Sequence, residues 1–158
     1  MVVYIDNLNV DLDLISKSDI KSCALTALEQ EGRTADEDLS IIIGDDDHIQ
    51  QLNREFMGID EPTDVLAFPA GHIDPDSGHL YLGDVIISLP RAINQAKHAG
   101  HSPSAEVSLL VIHGVLHLLG YDHDQPEVKA EMWSSQDSIL KILGIEIKSP
   151  QPTDQLHG

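Results

Sequence analysis

The stretch that decides the fold is residues 102–120, which read SPSAEVSLLVIHGVLHLLG. Ser102 and Pro103 are typical of a helix N-cap and first turn, and Gly120 is typical of a helix end. Between them, residues 107–119 are apolar on nearly every side, whereas a surface helix keeps one polar face. The stretch therefore predicts a helix buried in the protein core.

Two histidines interrupt this apolar helix and a third follows it. His113 and His117 are separated by about 40° around the helix and by about 6 Å along it, so both imidazoles can reach one ion. A turn after Gly120 can bring His123 back to the same point. As core histidines, the three rings would each need a hydrogen-bond partner, whereas one metal satisfies all of them. We therefore expect His113, His117 and His123 to bind one zinc-like ion, with the fourth tetrahedral position open as in a catalytic site.

The residue between the two helical histidines excludes one kind of metal chemistry. Gly114 occupies the position where a zincin-type H-E-x-x-H motif carries its glutamate base. A glycine inside a helix costs about 1 kcal/mol relative to alanine, so we expect Gly114 to serve the close approach of another backbone or a substrate. Glu106, Asp122 and Asp124 are the acidic residues near the motif, but the sequence assigns a catalytic role to none of them.

Strands and helices alternate along the rest of the chain, which predicts an α+β fold with about four strands packed with helices around a metal-binding cleft. We expect one domain over residues 1–148 and a frayed, proline-containing tail over residues 149–158. Predicted strands cover residues 1–6, 39–44, 65–68 (closed by Pro69) and 81–87. Predicted helices cover residues 15–31, 46–56, 90–99, 102–120 and 126–143, and residues 70–79 are expected to form a loop or hairpin tip.

Composition limits the number of domains, the partners and the cellular compartment expected for the protein. The 158 residues suit one domain, and nine Lys and Arg against 27 Asp and Glu give a net charge of −18. A chain this acidic is repelled by free nucleic acid at long range. Cys23 is the single cysteine, which excludes an intrachain disulfide. The sequence has no secretory signal and no apolar run of about 18 residues, so we expect a soluble, cytoplasmic protein with no membrane partner.

Three segments form a recognisable set: residues 113–123 read HGVLHLLGYDH, residues 62–69 read PTDVLAFP and residues 82–87 read LGDVII. They resemble the H-G-x-L-H-L-x-G-Y-D-H signature, the P-T-[DN]-V-L-[SA]-F-P segment and the L-G-D-[IV] strand of the YbeY family of bacterial ribosomal-RNA maturation factors. The resemblance covers roughly residues 37–143. It implies a zinc-dependent single-strand endoribonuclease that acts in ribosomal RNA processing, maturation and ribosome quality control. Single-stranded or ribosomal RNA and ribosome-associated proteins are the implied partners.

One position departs from this family pattern. Met57 stands where similar sequences usually carry an arginine, which the resemblance implies contacts the RNA backbone. A thioether is neutral and cannot make a bidentate phosphate contact, and Arg54 lies about 60° away around the predicted helix. Two alternatives therefore stay open: a ribosome-associated factor that acts through protein partners with a mainly structural metal, and a metal-dependent hydrolase of another substrate.

Overall fold

Four strands form one mixed sheet in the computed structural model, which describes residues 1–122 and 125–147. The strands are β1 (Val2–Asn7), β2 (Glu37–Gly44), β3 (Val65–Ile73) and β4 (Leu80–Ser88). The helices are α1 (Lys17–Gln30), α2 (Asp46–Leu52), α3 (Leu89–Ala99), α4 (Pro103–Leu118) and α5 (Pro126–Ile142). A π-helical turn, Asn53–Met57, directly follows α2. The predicted α+β class and the four-stranded sheet are confirmed.

The strand order is β1-β2-β4-β3, so β1 and β3 are the edges of the sheet. The β1–β2 and β2–β4 pairs are parallel, and β3 and β4 form an antiparallel hairpin. Ile41 of β2 pairs with Val85 of β4, and Leu66 of β3 pairs with Ile86. Because helices cover both faces of the sheet, β2 carries consecutive isoleucines rather than an apolar–polar alternation.

Helix α4 lies at the centre of the core, as its all-round apolar sequence predicts. It packs against α1, α3, α5 and the β3–β4 hairpin, which buries every residue from Glu106 to Leu116. The Ser102 hydroxyl caps the helix by accepting a hydrogen bond of 3.1 Å from the Ala105 N–H. Gly120 has a φ of +101°, a conformation that favours glycine, and follows the end of the helix at Leu118.

Alternating side chains of β4 divide the core between the two faces of the sheet. Val85 and Ile87 belong to the large cluster that includes α4, whereas Ile86 packs with Leu66 and with Ile49 of α2 in a separate small cluster. Helix α2 therefore covers the face of the sheet opposite α4.

Two predicted boundaries are wrong. Strand β3 does not close at Pro69, which instead pairs with Gly83, and the strand continues to Ile73 after a register shift. An edge strand tolerates proline because the missing N–H removes no bond from the interior of the sheet. The loop predicted over residues 70–79 is accordingly reduced to the hairpin turn between Ile73 and Leu80.

The helix predicted over residues 46–56 also changes form, because its last turn is π-helical. Asn53 anchors this turn: its side chain is buried and its Nδ2 donates to the Glu61 carbonyl at 2.9 Å. Gly58 ends the turn with a φ of +72°. The wider turn leaves the Phe56 and Met57 side chains 66% and 55% exposed.

Within the described ranges, no helix is long and apolar enough to cross a membrane. The tail predicted over residues 149–158 lies outside the described residues, so its boundary stays a prediction.

Candidate metal centre

His113 and His117 bring two imidazole nitrogens together on one face of α4. Their Nε2 atoms lie 3.1 Å apart, and the ring centroids are 4.6 Å apart with the planes nearly perpendicular. His113 is completely buried, whereas His117 is partly accessible at the C-terminal end of the helix. The one-turn spacing of the sequence therefore produces the convergence that was predicted for these two residues.

The buried ring of His113 is oriented by helix α5. Gln136 is fully buried, and its Oε1 lies 2.6 Å from His113 Nδ1. Because this oxygen can only accept, His113 carries its proton on Nδ1 and turns the Nε2 lone pair towards His117. Trp133 packs edge-on against the same ring, with 5.5 Å between the centroids. Helix α5 thus fixes both the tautomer and the position of this imidazole.

The separation of the two nitrogens fits a shared zinc-like ion. Two imidazole nitrogens at about 2.0–2.1 Å from a tetrahedral zinc stand roughly 3.3 Å apart, close to the 3.1 Å found here. An imidazole whose other nitrogen donates to a fixed acceptor is also the usual environment of a zinc-binding histidine. Without an ion, the same contact is a hydrogen bond in which His117 Nε2–H donates to His113 Nε2.

The third predicted ligand, His123, lies outside the described residues, as does the neighbouring Asp124, so its role stays a prediction. Among residues 1–122 and 125–147, no group of three or more His, Cys, Asp or Glu side chains is placed to hold one metal ion. The described part of the site is therefore the His113–His117 pair with its support from α5.

Gly114 lets the helix that carries both histidines lie directly on the sheet. A Cβ atom added at Gly114 would stand 2.5 Å from Val85 Cγ1 and 3.1 Å from Val85 Cγ2. Gly114 thus serves a close approach, as expected, but the neighbour is the buried Val85 side chain of β4 rather than a backbone or a substrate. The absence of a side chain at Gly114 sets the height of His113 and His117 above the sheet.

Glu106 lies two turns before His113 and does not serve it. Its carboxylate is buried and lies 2.9 Å from Nε2 of His101, at the opposite end of α4 from His117. A cavity of about 690 Å³ opens beside that end and is lined by His101 and Cys23, but by neither His113 nor His117.

Comparisons with known proteins agree with the resemblance of the three sequence segments. The sequence profile described as Endoribonuclease YbeY matches residues 5–144. The chain belongs to this family.

Among its relatives, the Endoribonuclease YbeY of Acetivibrio thermocellus is 37% identical, over 92% of this chain and 99% of the relative. Those of Chloroflexus aurantiacus and Carboxydothermus hydrogenoformans are 40% and 44% identical, over 91% and 87% of this chain and 98% and 92% of the relatives. The solution structure of TM1509 from Thermotoga maritima superposes with a TM-score of 0.62 at 27% identity, covering 90% of this chain and 89% of that one.

The YbeY family match extends beyond the roughly 37–143 span of the sequence resemblance and takes in α1 and the last residues of β1 as well. Sequence reasoning missed Gln136 as the partner of His113. The available signal was its position three residues after Trp133, on the same buried face of α5. A buried amide on an apolar helix face requires a partner, and His113 is the polar group that meets it.

Proposed function

We propose that this chain is a zinc-dependent endoribonuclease that hydrolyses phosphodiester bonds of single-stranded RNA, with the ion held by His113, His117 and His123. The observation that carries the proposal is the 3.1 Å separation of two Nε2 atoms, one of which has its tautomer fixed by Gln136. The printed names of the relatives support RNA as the class of substrate.

The residues around the ion have distinct tasks in this proposal. Three neutral imidazoles leave the charge of a divalent ion uncompensated, so the site attracts an anionic phosphate. When bound, a zinc-like ion supplies Lewis acidity, which polarises a phosphoryl oxygen and acidifies a coordinated water. Gln136 keeps the proton of His113 on Nδ1, and Trp133 packs against the ring and shields it from water.

Ribosomal RNA processing and maturation in the cytoplasm, together with ribosome quality control, are the proposed setting. The net charge of −18 opposes long-range attraction of free RNA, which supports presentation of the substrate by ribosome-associated proteins. The same acidity, together with the neutral, exposed Met57, favours a second candidate function. In it the chain acts through protein partners and its metal is structural.

Metal analysis tests the ion and its ligands. We expect about one zinc per chain in carefully purified protein and loss of most of it in His117→Ala, because two remaining ligands cannot hold the ion. Gln136→Leu should weaken zinc affinity about 10- to 100-fold, because His113 loses the partner that fixes its tautomer. His98→Ala is the matched control: His98 lies on α3, where Nδ1 contacts the Asn94 carbonyl of its own helix. Unchanged zinc content in His117→Ala would contradict the assignment.

A cleavage assay separates the two candidate functions. Zinc-loaded protein should cut single-stranded RNA in preference to a duplex, and His117→Ala should not. Equal cutting by His117→Ala would expose a contaminating nuclease. Zinc-loaded protein that holds its metal tightly, cuts no RNA and yet binds ribosomal particles would favour the partner-dependent function.

A further inference from the structure

A second concave site lies on the face of the sheet opposite α4, and we call it the aromatic pocket. Its volume is about 390 Å³, which is at the lower end of small-molecule sites and suits a single ring system. It is lined by Leu8, Ile42, His48, Leu52, Phe56, Phe68, Asp84 and Ile86. Neither metal-centre histidine contributes to it.

Two phenylalanines give the pocket a stacking surface. The rings of Phe56 and Phe68 meet edge to face, with 5.5 Å between centroids and 60° between planes. Phe56 is nevertheless 66% exposed, because the π-helical turn places it outside the core. Exposed aromatic rings are the surfaces on which proteins stack unpaired bases.

Asp84 and His48 are the polar residues of a wall that is apolar elsewhere, and Asp84 is the acidic one. The Tyr81 hydroxyl donates to its Oδ1 and also lies 2.6 Å from Ser40 Oγ, so the carboxylate is held in place. Burial, followed by the hydrogen bond to Asp84, raises the pKa of Tyr81 to about 12, which keeps this hydroxyl a donor at neutral pH. Within the described part of the chain, Oδ2 of Asp84 has no hydrogen-bond partner and can accept from a ligand.

The β3–β4 hairpin lies between the pocket and the end of α4 that carries His117. Phe68 pairs with Asp84 in the ladder, next to the Pro69–Gly83 pair. A Cβ atom added at Gly83 would stand 3.0 Å from Leu118 Cδ2, and Leu118 directly follows His117. The pocket and His117 are thus on two sides of one short section of the hairpin, whose outer strand, β3, is the edge of the sheet.

The charge of the chain favours recognition of bases over recognition of phosphates. Phosphate contacts depend on lysine and arginine, which are outnumbered three to one by acidic residues in this chain. Affinity for a single strand must then come largely from stacking and from hydrogen bonds to base edges. Guanine alone among the RNA bases presents two adjacent N–H donors, N1–H and N2–H, on its Watson–Crick edge. Adenine and cytosine place an acceptor beside their amino group, which a carboxylate repels.

We propose that the aromatic pocket is a guanine subsite, in which the base stacks on Phe56 and its Watson–Crick edge donates to Asp84. This inference rests on the proposed function, because it assumes an RNA strand that passes from the hairpin edge to the metal centre. It makes cleavage depend on a guanine near the scissile bond.

Binding is measured on the full chain with dye-labelled, 2′-O-methyl pentanucleotides, either all-uridine or with one central guanine or adenine, and a gel confirms that each probe stays intact. The guanine probe should bind at least about 10-fold more tightly than the adenine probe, as expected for hydrogen bonds to a charged group. Asp84→Asn, which keeps an oxygen for Tyr81, should bring this ratio close to one. Phe56→Ala should weaken the binding of all three probes by about 5- to 150-fold.

The control variant is Ile142→Ala, which removes an exposed apolar side chain from α5, away from the pocket. It should leave every affinity unchanged, and a melting curve for each variant confirms that it is folded. Equal affinity for guanine and adenine, or a guanine preference that survives in Asp84→Asn, would overturn the inference. So would a dimer in solution that Phe56→Ala dissociates, because a second copy would then occupy the pocket.

The same measurements in His117→Ala separate this inference from the proposed function. A guanine preference that persists there, with no cleavage by zinc-loaded wild-type protein, would support the subsite and refute the nuclease assignment. Cleavage that is indifferent to guanine and to Asp84 would refute the subsite and leave the nuclease assignment standing.

Discussion

The contact between Gly114 and Val85 allows the position of α4 to be tested by a change of one methyl group. In Gly114→Ala the new Cβ would stand 2.5 Å from Val85 Cγ1, more than 1 Å inside the usual carbon–carbon contact of about 3.5–4.0 Å. Val85 is completely buried and β-branched, so its side chain cannot relieve the overlap by changing rotamer. The helix itself must shift, and it carries His113 and His117 with it.

The expected change in the free energy of unfolding of Gly114→Ala follows from two opposing effects. Alanine is preferred over glycine in a helix interior by about 1 kcal/mol, whereas overpacking a core costs about 1–3 kcal/mol. Since this overlap is severe, we expect Gly114→Ala to lower the free energy of unfolding by about 2 kcal/mol. For a protein of this length, that is a fall of about 4–8 °C in melting temperature. Zinc content should fall in the same variant, because the ligands are displaced.

The decisive measurement repeats the substitution in a Val85→Ala background. There the two Cγ atoms are gone and the nearest remaining Val85 atom, Cβ, is 3.3 Å from the new methyl group. Gly114→Ala should then be neutral or stabilising by up to about 1 kcal/mol, because the helix preference acts without the clash. Urea unfolding of the four proteins in chelator gives the coupling free energy, free of any stabilisation by bound metal. If Gly114→Ala lowered the free energy of unfolding equally in the wild-type and Val85→Ala backgrounds, this account of how α4 is positioned would be refuted.

Three further predictions concern other parts of the chain. Leu110→Asp should abolish cooperative folding, because an unpaired charge in the core costs several kcal/mol. The control Ile142→Asp, on the exposed face of α5, should leave the urea midpoint nearly unchanged. Met57→Arg should increase the affinity for single-stranded RNA at low salt, and added salt should remove part of the gain. The control is Ile142→Arg, which adds the same charge at an exposed position of α5. Equal affinities of Met57→Arg and wild type would mean that position 57 does not contact phosphate. Burial raises the pKa of the Cys23 thiol, so at pH 8 less thiolate is present than in free cysteine. Disulfide reagents should therefore react slowly with the native protein and rapidly in urea. A fast reaction of the native protein would show that the thiol is accessible.

How far the sequence predicts the fold can be judged at α4 and α2. The caps and the all-round apolar pattern of α4 are local signals, and the structure agrees with them from Ser102 to Gly120. The same kind of reasoning extends α2 as one regular helix to Phe56, where the chain instead forms a π-helical turn. That turn depends on the hydrogen bond from Asn53 to Glu61, whose strength no local pattern reports. Strand β3 also continues through Pro69 for a reason that is not local, since a proline is tolerated there only because β3 is an edge strand.

The sequence by itself determined that His113 and His117 share one helix face, because a spacing of four residues fixes their relative position wherever the helix lies. It also supplied the family motifs and the departure at Met57. Only the tertiary structure decided that Gln136 meets His113, that Val85 fills the space above Gly114, and that six segments between Leu8 and Ile86 enclose one aromatic pocket. These contacts join residues that are far apart in the chain. They form only when the helices and the sheet pack together, so no short-range periodicity predicts them.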